Sequence, residues 1–174
     1  MKEGMKMATR KIVTLGDEAL RKVCKPQEKF DRRLEVLLRD LAATMYKAEG
    51  VGLAAPQVGI LRRIAVVDIT TDHSGLLELV NPTITETEGS QTGREGCLSL
   101  PGRQAVVTRP MKVKVQYQNR KGEWFELETE GLEARAICHE LDHLDGKLYI
   151  DVMDRELTEE EIEGHIPEDG PEKE

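Results

Sequence analysis

The chain has 174 residues, of which 39% are hydrophobic and 33% charged, and this is the composition of a folded protein of one domain. No apolar run approaches the roughly 20 residues that span a bilayer, and the start, "MKEGMKMATRKIV", lacks the apolar stretch of a secretory signal. We therefore expect a cytoplasmic protein that does not contact a membrane. With a net charge of −8 the chain also has no basic nucleic-acid footprint, so direct binding to nucleic acid is not expected.

The excess of negative charge lies at the C-terminal end. Residues 156–174 contain nine acidic residues against Lys173 alone, whereas residues 1–155 carry balanced charge. Two prolines, two glycines and few apolar residues accompany these acids. This composition predicts a solvated, flexible tail over 156–174, behind a single folded domain over 1–155.

The first predicted element is an amphipathic helix, "DRRLEVLLRDLAATMYKAEG", at residues 31–50. Asp31 can cap its first turn, and Gly50 follows its end. Its apolar residues recur at helical spacing on one face: Leu34, Leu37, Leu38, Leu41 and Met45. A glycine-rich loop then leads to two apolar runs, "IAVVDI" and "LLELVNPTITE", which are typical of strands.

A hairpin and a second helix follow. The segment "MKVKVQYQNRKGEWFELETE" alternates apolar and polar residues and turns at "NRKG", which predicts two antiparallel strands. A helix from Glu130 to Gly146 is apolar on two sides, so we expect it to be buried against the sheet. The order of elements predicts an α+β fold of one domain, with mostly antiparallel sheets around this buried central helix and an N-terminal amphipathic helix.

The buried helix contains "CHELDH", in which His139 and His143 are four residues apart and share one face. Glu140 lies between them, and His-Glu-x-x-His on a helix is typical of metal-dependent hydrolases. Two imidazoles do not complete a site, and the residues leave two sources for the third ligand. One is Cys97 in "GREGCLSLPG", where a neighbouring glycine allows close approach. The other lies downstream, in His165 or the acids of the tail, as a zincin-type peptidase would require.

The third ligand decides whether the metal site is catalytic or structural. Cysteine with two histidines leaves a fourth position for water, as catalytic sites do. A structural site with four ligands would need another Cys or His, and none is well placed. We expect the other two cysteines, Cys24 and Cys138, to be small buried apolar residues.

Three motifs in order give the chain a resemblance to a known family. "GVGLAAPQVG" (50–59), "EGCLSLPG" (95–102) and "CHELDHLDG" (138–146) resemble the signature motifs of peptide deformylase, and "IVTLGDEALRKVC" resembles its N-terminal segment. The resemblance covers residues 10–152 and so implies that 1–155 is a peptide deformylase-like catalytic domain. Many members have Gln where Cys138 stands, but that side chain is not a ligand in the family.

The resemblance implies a reaction and a set of roles. The formyl group is removed from N-formylmethionine at the start of new proteins, with release of formate. Water activated at a metal on Cys97, His139 and His143 attacks the formyl carbonyl, while Glu140 serves as general base and then general acid. Gln57, the backbone N–H of Leu98 and the metal are implied to stabilise the oxyanion.

The resemblance also implies contacts around this centre. The peptide is expected to bind as an extended strand along the backbones of Val51, Gly52 and Gly96, with Leu132 as a wall of the methionine pocket. Asp142 needs a partner in a buried helix, and in the family an arginine at the position of Arg109 pairs with it.

The expected cofactor is one divalent metal ion per chain. Two nitrogens and one sulfur suit several metals, and the family typically uses iron(II) in the cell, whereas zinc, nickel or cobalt fit the same ligands in purified protein. The expected partners are N-formylmethionyl nascent peptides, which places the protein near the ribosome. We expect a monomer.

Other classes are weighed against this interpretation. "GVGLAA" also resembles a dinucleotide fingerprint, but it follows a helix, precedes a strand and lacks the lysine of a phosphate-binding loop, so nucleotide binding is not predicted. A zincin-type endopeptidase would keep its metal without Cys97. A non-catalytic, metal-stabilised interaction domain would not need Glu140.

Overall fold

A computed structural model describes residues 8–164. Its helices are α1 (Arg32–Lys47), α2 (Gly131–Leu144), α3 (Tyr149–Val152) and α4 (Glu159–Glu163), with short 3-10 turns at Glu18–Arg21 and Ala55–Val58. Its strands are β1 (Gly52–Ala54), β2 (Ile64–Val67), β3 (Leu77–Glu88), β4 (Gln91–Cys97), β5 (Leu100–Arg109), β6 (Lys112–Gln118), β7 (Trp124–Glu130) and β8 (Arg155–Glu156).

The strands form two antiparallel sheets with the orders β1-β2-β3-β6-β7 and β4-β5-β8. Helix α2 packs against the larger sheet, because Ile137, Leu141 and Leu144 share one hydrophobic cluster with apolar side chains from several of its strands. The predicted α+β fold with a buried central helix is confirmed.

Helix α1 covers the opposite face of the larger sheet. Asp31 caps it, since its carboxylate accepts a hydrogen bond from the Leu34 N–H at 3.2 Å. The leucine stripe of α1 packs on Ile64, Val66 and Val80 of β2 and β3. The predicted amphipathic helix is confirmed, and α1 ends just before the glycine-rich segment that borders the site.

The glycine-rich segment is more ordered than the loop that the sequence predicts. Gly52–Ala54 pair with Ala65–Val67 as the edge strand β1, and the Asp68 N–H donates to the Val51 carbonyl at 2.9 Å. Three residues are too few to show the alternation that identifies a strand. The pairing fixes the backbone of Val51 and Gly52 beside α2.

The first part of the predicted tail forms regular structure against the domain. Glu156 belongs to β8, which pairs with Ala105 and Val106, and Leu157 is buried. The acids are balanced locally, since Glu156 binds Arg103 at 2.6 Å and Glu161 of α4 binds Arg155 at 2.9 Å. Composition cannot show that an open sheet edge and arginines at the right positions are available to these residues.

The domain boundary and part of the tail stay predictions. Residues 165–174 of the predicted tail lie outside the described residues, and no observation tests the division of the chain at residue 155. Within residues 8–164, no helix has both the length and the apolar character needed to cross a membrane.

Candidate metal centre and active site

The three predicted metal ligands meet at one point, although Cys97 is far from the histidines in sequence. Helix α2 presents His139 and His143 one turn apart, and Cys97 ends β4. The Nε2 atom of His143 lies 3.3 Å from Cys97 Sγ and 3.3 Å from His139 Nε2. All three ligand atoms lie within 4.8 Å of one another.

This spacing fits one metal ion. Tetrahedral coordination with metal–nitrogen bonds of about 2.0–2.1 Å separates two nitrogen ligands by about 3.3 Å. The ring of His139 is also oriented for ligation, because its Nδ1 is 2.8 Å from Glu95 Oε1 and its Nε2 therefore faces the other ligands. The Cys/His/His triad is a binding site for a single divalent metal.

Glu95 is a buried functional residue that the sequence analysis missed. Besides contacting His139, Glu95 accepts hydrogen bonds from two arginines. Arg109 donates to each of its carboxylate oxygens at 2.9 Å, and Arg135 donates to Oε2 at 2.6 Å. Burial alone would raise the pKa of Glu95, but hydrogen bonds from His139 and Arg109 and their positive charges outweigh it and lower the pKa to about 2. Glu95 therefore stays ionised and accepts the His139 hydrogen bond.

A signal for Glu95 exists in the sequence. It lies two residues before Cys97, and residues i and i+2 of a strand point to the same face. Once Cys97 is assigned to the site, a carboxylate at Glu95 follows from the period of the strand. The predicted pair of Arg109 and Asp142 also forms, at 2.6 Å, and extends the network from Glu95 to the surface of α2.

Glu140 lies beside the ligands without a strong partner of its own. Its Oε1 is 3.8 Å from His139 Nε2, and its Oε2 finds no hydrogen-bond partner among residues 8–164. Burial is the main reason that the pKa of Glu140 is raised to about 7, and the charge of His139 opposes that rise. A carboxyl group that exchanges its proton near neutrality is suited to acid–base chemistry.

Gly52 makes the close approach of β1 to this carboxylate possible. A Cβ atom at Gly52 would lie 2.8 Å from Glu140 Cγ and 2.9 Å from its Oε1, which is closer than real side chains approach. Any larger residue at position 52 would displace the carboxyl group from its place beside the metal ligands.

Gln57 is held with its amide N–H groups toward the ligands. Its Oε1 accepts from the Ala54 N–H at 2.9 Å, and its Nε2 donates to Ser99 Oγ at 3.1 Å and lies 3.5 Å from Cys97 Sγ. Leu98 occupies the turn between β4 and β5, directly after Cys97. The residues predicted for oxyanion stabilisation thus border the metal ligands.

The predicted substrate residues line one cavity of about 380 Å³, together with Glu140, Gln57 and two of the ligands. Val51, Gly52 and Gly96 all line this cavity, and so does Leu132 of α2, which is 53% exposed. His143 does not line the cavity and lies behind it, 1% exposed. Arg135, which the sequence analysis did not select, also lines it.

The fold and this centre define a metal-dependent hydrolase of the His-Glu-x-x-His type. The family model for polypeptide deformylase matches residues 9–159. A peptide deformylase from Caldicellulosiruptor bescii is 57% identical over 157 residues, which cover 90% of this chain and 93% of the relative. The chain belongs to the peptide deformylase family.

Solved structures agree with this assignment. A peptide deformylase from Legionella pneumophila is 47% identical, with a TM-score of 0.82 over 84% of this chain and 87% of that one. A class I type b peptide deformylase from Acinetobacter baumannii, solved with Met-Ala-Ser bound, is 31% identical, with a TM-score of 0.80 over 85% of this chain and all of that one.

Family membership establishes the activity, which is the metal-dependent removal of the formyl group from nascent peptides that begin with N-formylmethionine. It excludes the two alternative classes, the zincin-type endopeptidase and the non-catalytic interaction domain. The zincin-type endopeptidase required a third metal ligand downstream of the histidines, and the interaction domain required that Glu140 have no role.

Proposed function

We propose that Cys97, His139 and His143 hold iron(II) in the cell and that the deformylation reaction takes place in the cavity beside them. The convergence of three ligand atoms next to a buried carboxyl group with an unpaired oxygen is the observation that carries this proposal. When bound, the metal supplies a Lewis acid that activates water and polarises the formyl carbonyl. A thiolate with two imidazoles also suits zinc, nickel and cobalt.

Protein purified without oxygen is expected to contain about one iron per chain and to release formate rapidly from formyl-Met-Ala-Ser. In air, iron and activity should fall together, because dioxygen oxidises iron(II) and the thiolate that binds it. Elemental analysis and formate assays, before and after exposure to air, measure both. A nickel-loaded sample is the control, since it should keep its activity in air. Full, air-stable activity with zinc as the only bound metal would contradict iron as the native ion.

In the proposed reaction, Glu140 takes a proton from the attacking water and delivers it to the leaving amine. Its pKa of about 7 supports both steps, because the group can hold and release a proton at neutral pH. Its unpaired Oε2 leaves one oxygen available for that proton. The formyl oxygen becomes an oxyanion when water adds to the formyl carbon, and it accepts hydrogen bonds from the Gln57 amide and the Leu98 N–H.

Replacing Gln57 with Leu is expected to lower kcat by about 10²–10³, the usual effect of losing one oxyanion donor. KM should change little, because the donor strengthens its hydrogen bond mainly in the transition state. Steady-state formate release gives both constants. The matched control is Gln116→Leu on the exposed face of β6, which should behave as the parent. A rise in KM with unchanged kcat would instead make Gln57 a ground-state binding residue.

We propose that the substrate lies between β1 and β4 as an extended strand, bonded to the backbones of Val51, Gly52 and Gly96. The Acinetobacter baumannii enzyme, solved with Met-Ala-Ser bound, supports a peptide that begins with methionine in this cavity. Leu132 is proposed as an apolar wall for the methionine side chain, since it lines the cavity and more than half of its surface is exposed.

Two further features complete the proposal. Asp142 and Arg109 fix α2 against the smaller sheet and so keep the histidines in place. The enzyme is proposed to act as a cytoplasmic monomer on nascent chains near the ribosome, without direct contact to nucleic acid.

A further inference from the structure

Arg135 is a buried arginine that lies one helical turn before the ligand His139. Only 7% of its side chain is exposed, although no sequence feature marks it as a core residue. Its Nη1 donates to Glu95 Oε2 at 2.6 Å and to the Val107 carbonyl at 3.0 Å, and its Nη2 donates to the Gln91 carbonyl at 3.3 Å. These hydrogen bonds connect α2 to β4 and β5 of the smaller sheet.

The neighbouring backbone leaves room for this guanidinium. A Cβ atom at Gly93 would lie 3.3 Å from Arg135 Nη2 and 3.6 Å from its Cζ, so a side chain there would crowd the guanidinium. Gly93 and Arg135 therefore fit each other, and the guanidinium has one defined place against β4.

Arg135 completes the hydrogen bonding of Glu95. Oε1 of Glu95 accepts hydrogen bonds from His139 and from Nη2 of Arg109, whereas Oε2 accepts from Nε of Arg109 and from Nη1 of Arg135. Arg109 is also shared with Asp142. Without Arg135, one arginine would face two carboxylates, and Glu95 would keep a buried charge that only Arg109 and His139 balance.

We propose that Arg135 is a positioning residue for the metal centre, which acts by holding the Glu95 carboxylate in the place where it orients His139. Its hydrogen bonds within residues 8–164 go to Glu95 and to two backbone carbonyls and not to the ligand atoms, so its influence on the metal centre passes through Glu95. This inference rests on the proposed ligand role of His139. It adds a residue to the network that the Arg109–Asp142 pair begins.

Arg135 also lines the cavity, and this suggests a different role that the experiment must separate. A wall of the methionine pocket would affect substrate affinity and hence KM. A positioning residue would affect the metal itself, whether or not substrate is present. Metal affinity and the spectrum of a bound cobalt ion therefore distinguish the two roles.

The test compares the parent with Arg135→Met and Arg135→Lys. Metal dissociation constants are measured by competition with a chelator, the absorption spectrum is recorded for the cobalt(II) form, and kcat and KM are measured with formyl-Met-Ala-Ser. For Arg135→Met we expect metal affinity to fall about 10–100-fold, as for other residues that orient a ligand, with a shifted cobalt spectrum and a lower kcat. Arg135→Lys keeps the charge and should restore part of each loss.

Two controls test whether the effect of Arg135 is specific and whether it depends on Glu95. Arg63→Met removes another arginine that holds α2, through the Leu144 carbonyl at 3.2 Å and Asp145 at 3.0 Å, but it is remote from Glu95. It should leave the cobalt spectrum unchanged even if it lowers Tm. In a Glu95→Gln background, Arg135→Met should have little further effect on metal affinity, because the two residues act as one unit.

The outcomes that overturn the inference are specific. Unchanged metal affinity and cobalt spectrum in a folded Arg135→Met or Arg135→Lys protein, with a change in KM alone, would make Arg135 a pocket wall. Equal, additive losses in the parent and Glu95→Gln backgrounds would also overturn it. Failure of the parent to bind metal at all would instead refute the proposed ligand set, so the two failures can be told apart.

Discussion

Glu140→Gln is expected to reduce formate release by about 10²–10⁴, the usual contribution of a general acid–base group, while the protein keeps its metal. Glutamine has the same shape but cannot accept the proton of the attacking water. The Tm should be unchanged or higher, because a buried carboxyl with an oxygen that lacks a partner disfavours folding. Formate assays, metal analysis and thermal unfolding on one preparation measure the three quantities.

The matched control is Glu133→Gln, which makes the same change on the same helix. Glu133 accepts a hydrogen bond from Thr129 at 2.7 Å and does not line the cavity. It should therefore leave kcat close to that of the parent. Retention of most of the activity by metal-loaded Glu140→Gln would show that another group, or the solvent, transfers the proton.

Cys97→Ala is expected to remove the metal and with it the activity. Two histidines one turn apart remain, and they do not hold a divalent ion as firmly as three ligands, one of which is a thiolate. Added metal should raise the Tm of the parent, because it binds only the folded chain, and should leave the Tm of Cys97→Ala nearly unchanged. Metal content per chain and Tm with and without added nickel are the measurements.

Cys138→Ala is the control for this variant. Cys138 is also buried and adjoins His139 in sequence, but its thiol is not among the converging ligand atoms. Burial raises the pKa of the Cys138 thiol to about 11, so it stays protonated and a poor ligand. This variant should bind one ion per chain. A Cys97→Ala protein that bound metal as tightly as the parent would show that the third ligand lies elsewhere.

Several features could be inferred from local patterns because they depend on residues close in sequence. The leucine stripe and cap of α1, the hairpin of β6 and β7, and the pair of histidines on α2 all follow from periods of 3.6 or 2 residues and from turn chemistry. Cys97 was found differently, through its motif and the resemblance, since nothing local to Cys97 shows which side chains it meets.

Other features depend on contacts between distant segments, and sequence patterns did not reveal them. The short strand β1, the pairing of β8 with β5 and the order of α4 each require a neighbour that comes from elsewhere in the chain. The ion pairs of Glu156 and Glu161 could not be inferred from the acidic composition after residue 155, because composition does not include the arginines that the fold places opposite these acids.

The sequence by itself determined the family and the reaction, through three short motifs that resemble those of peptide deformylase, and the same resemblance predicted the metal ligands. The tertiary structure decided the environment in which those residues act. It places Glu95 and Arg135 behind His139, leaves Glu140 buried with an unpaired oxygen and brings Gly52 against it. Burial and charge at a site are sums over all neighbouring groups, and only the folded chain specifies which groups are neighbours.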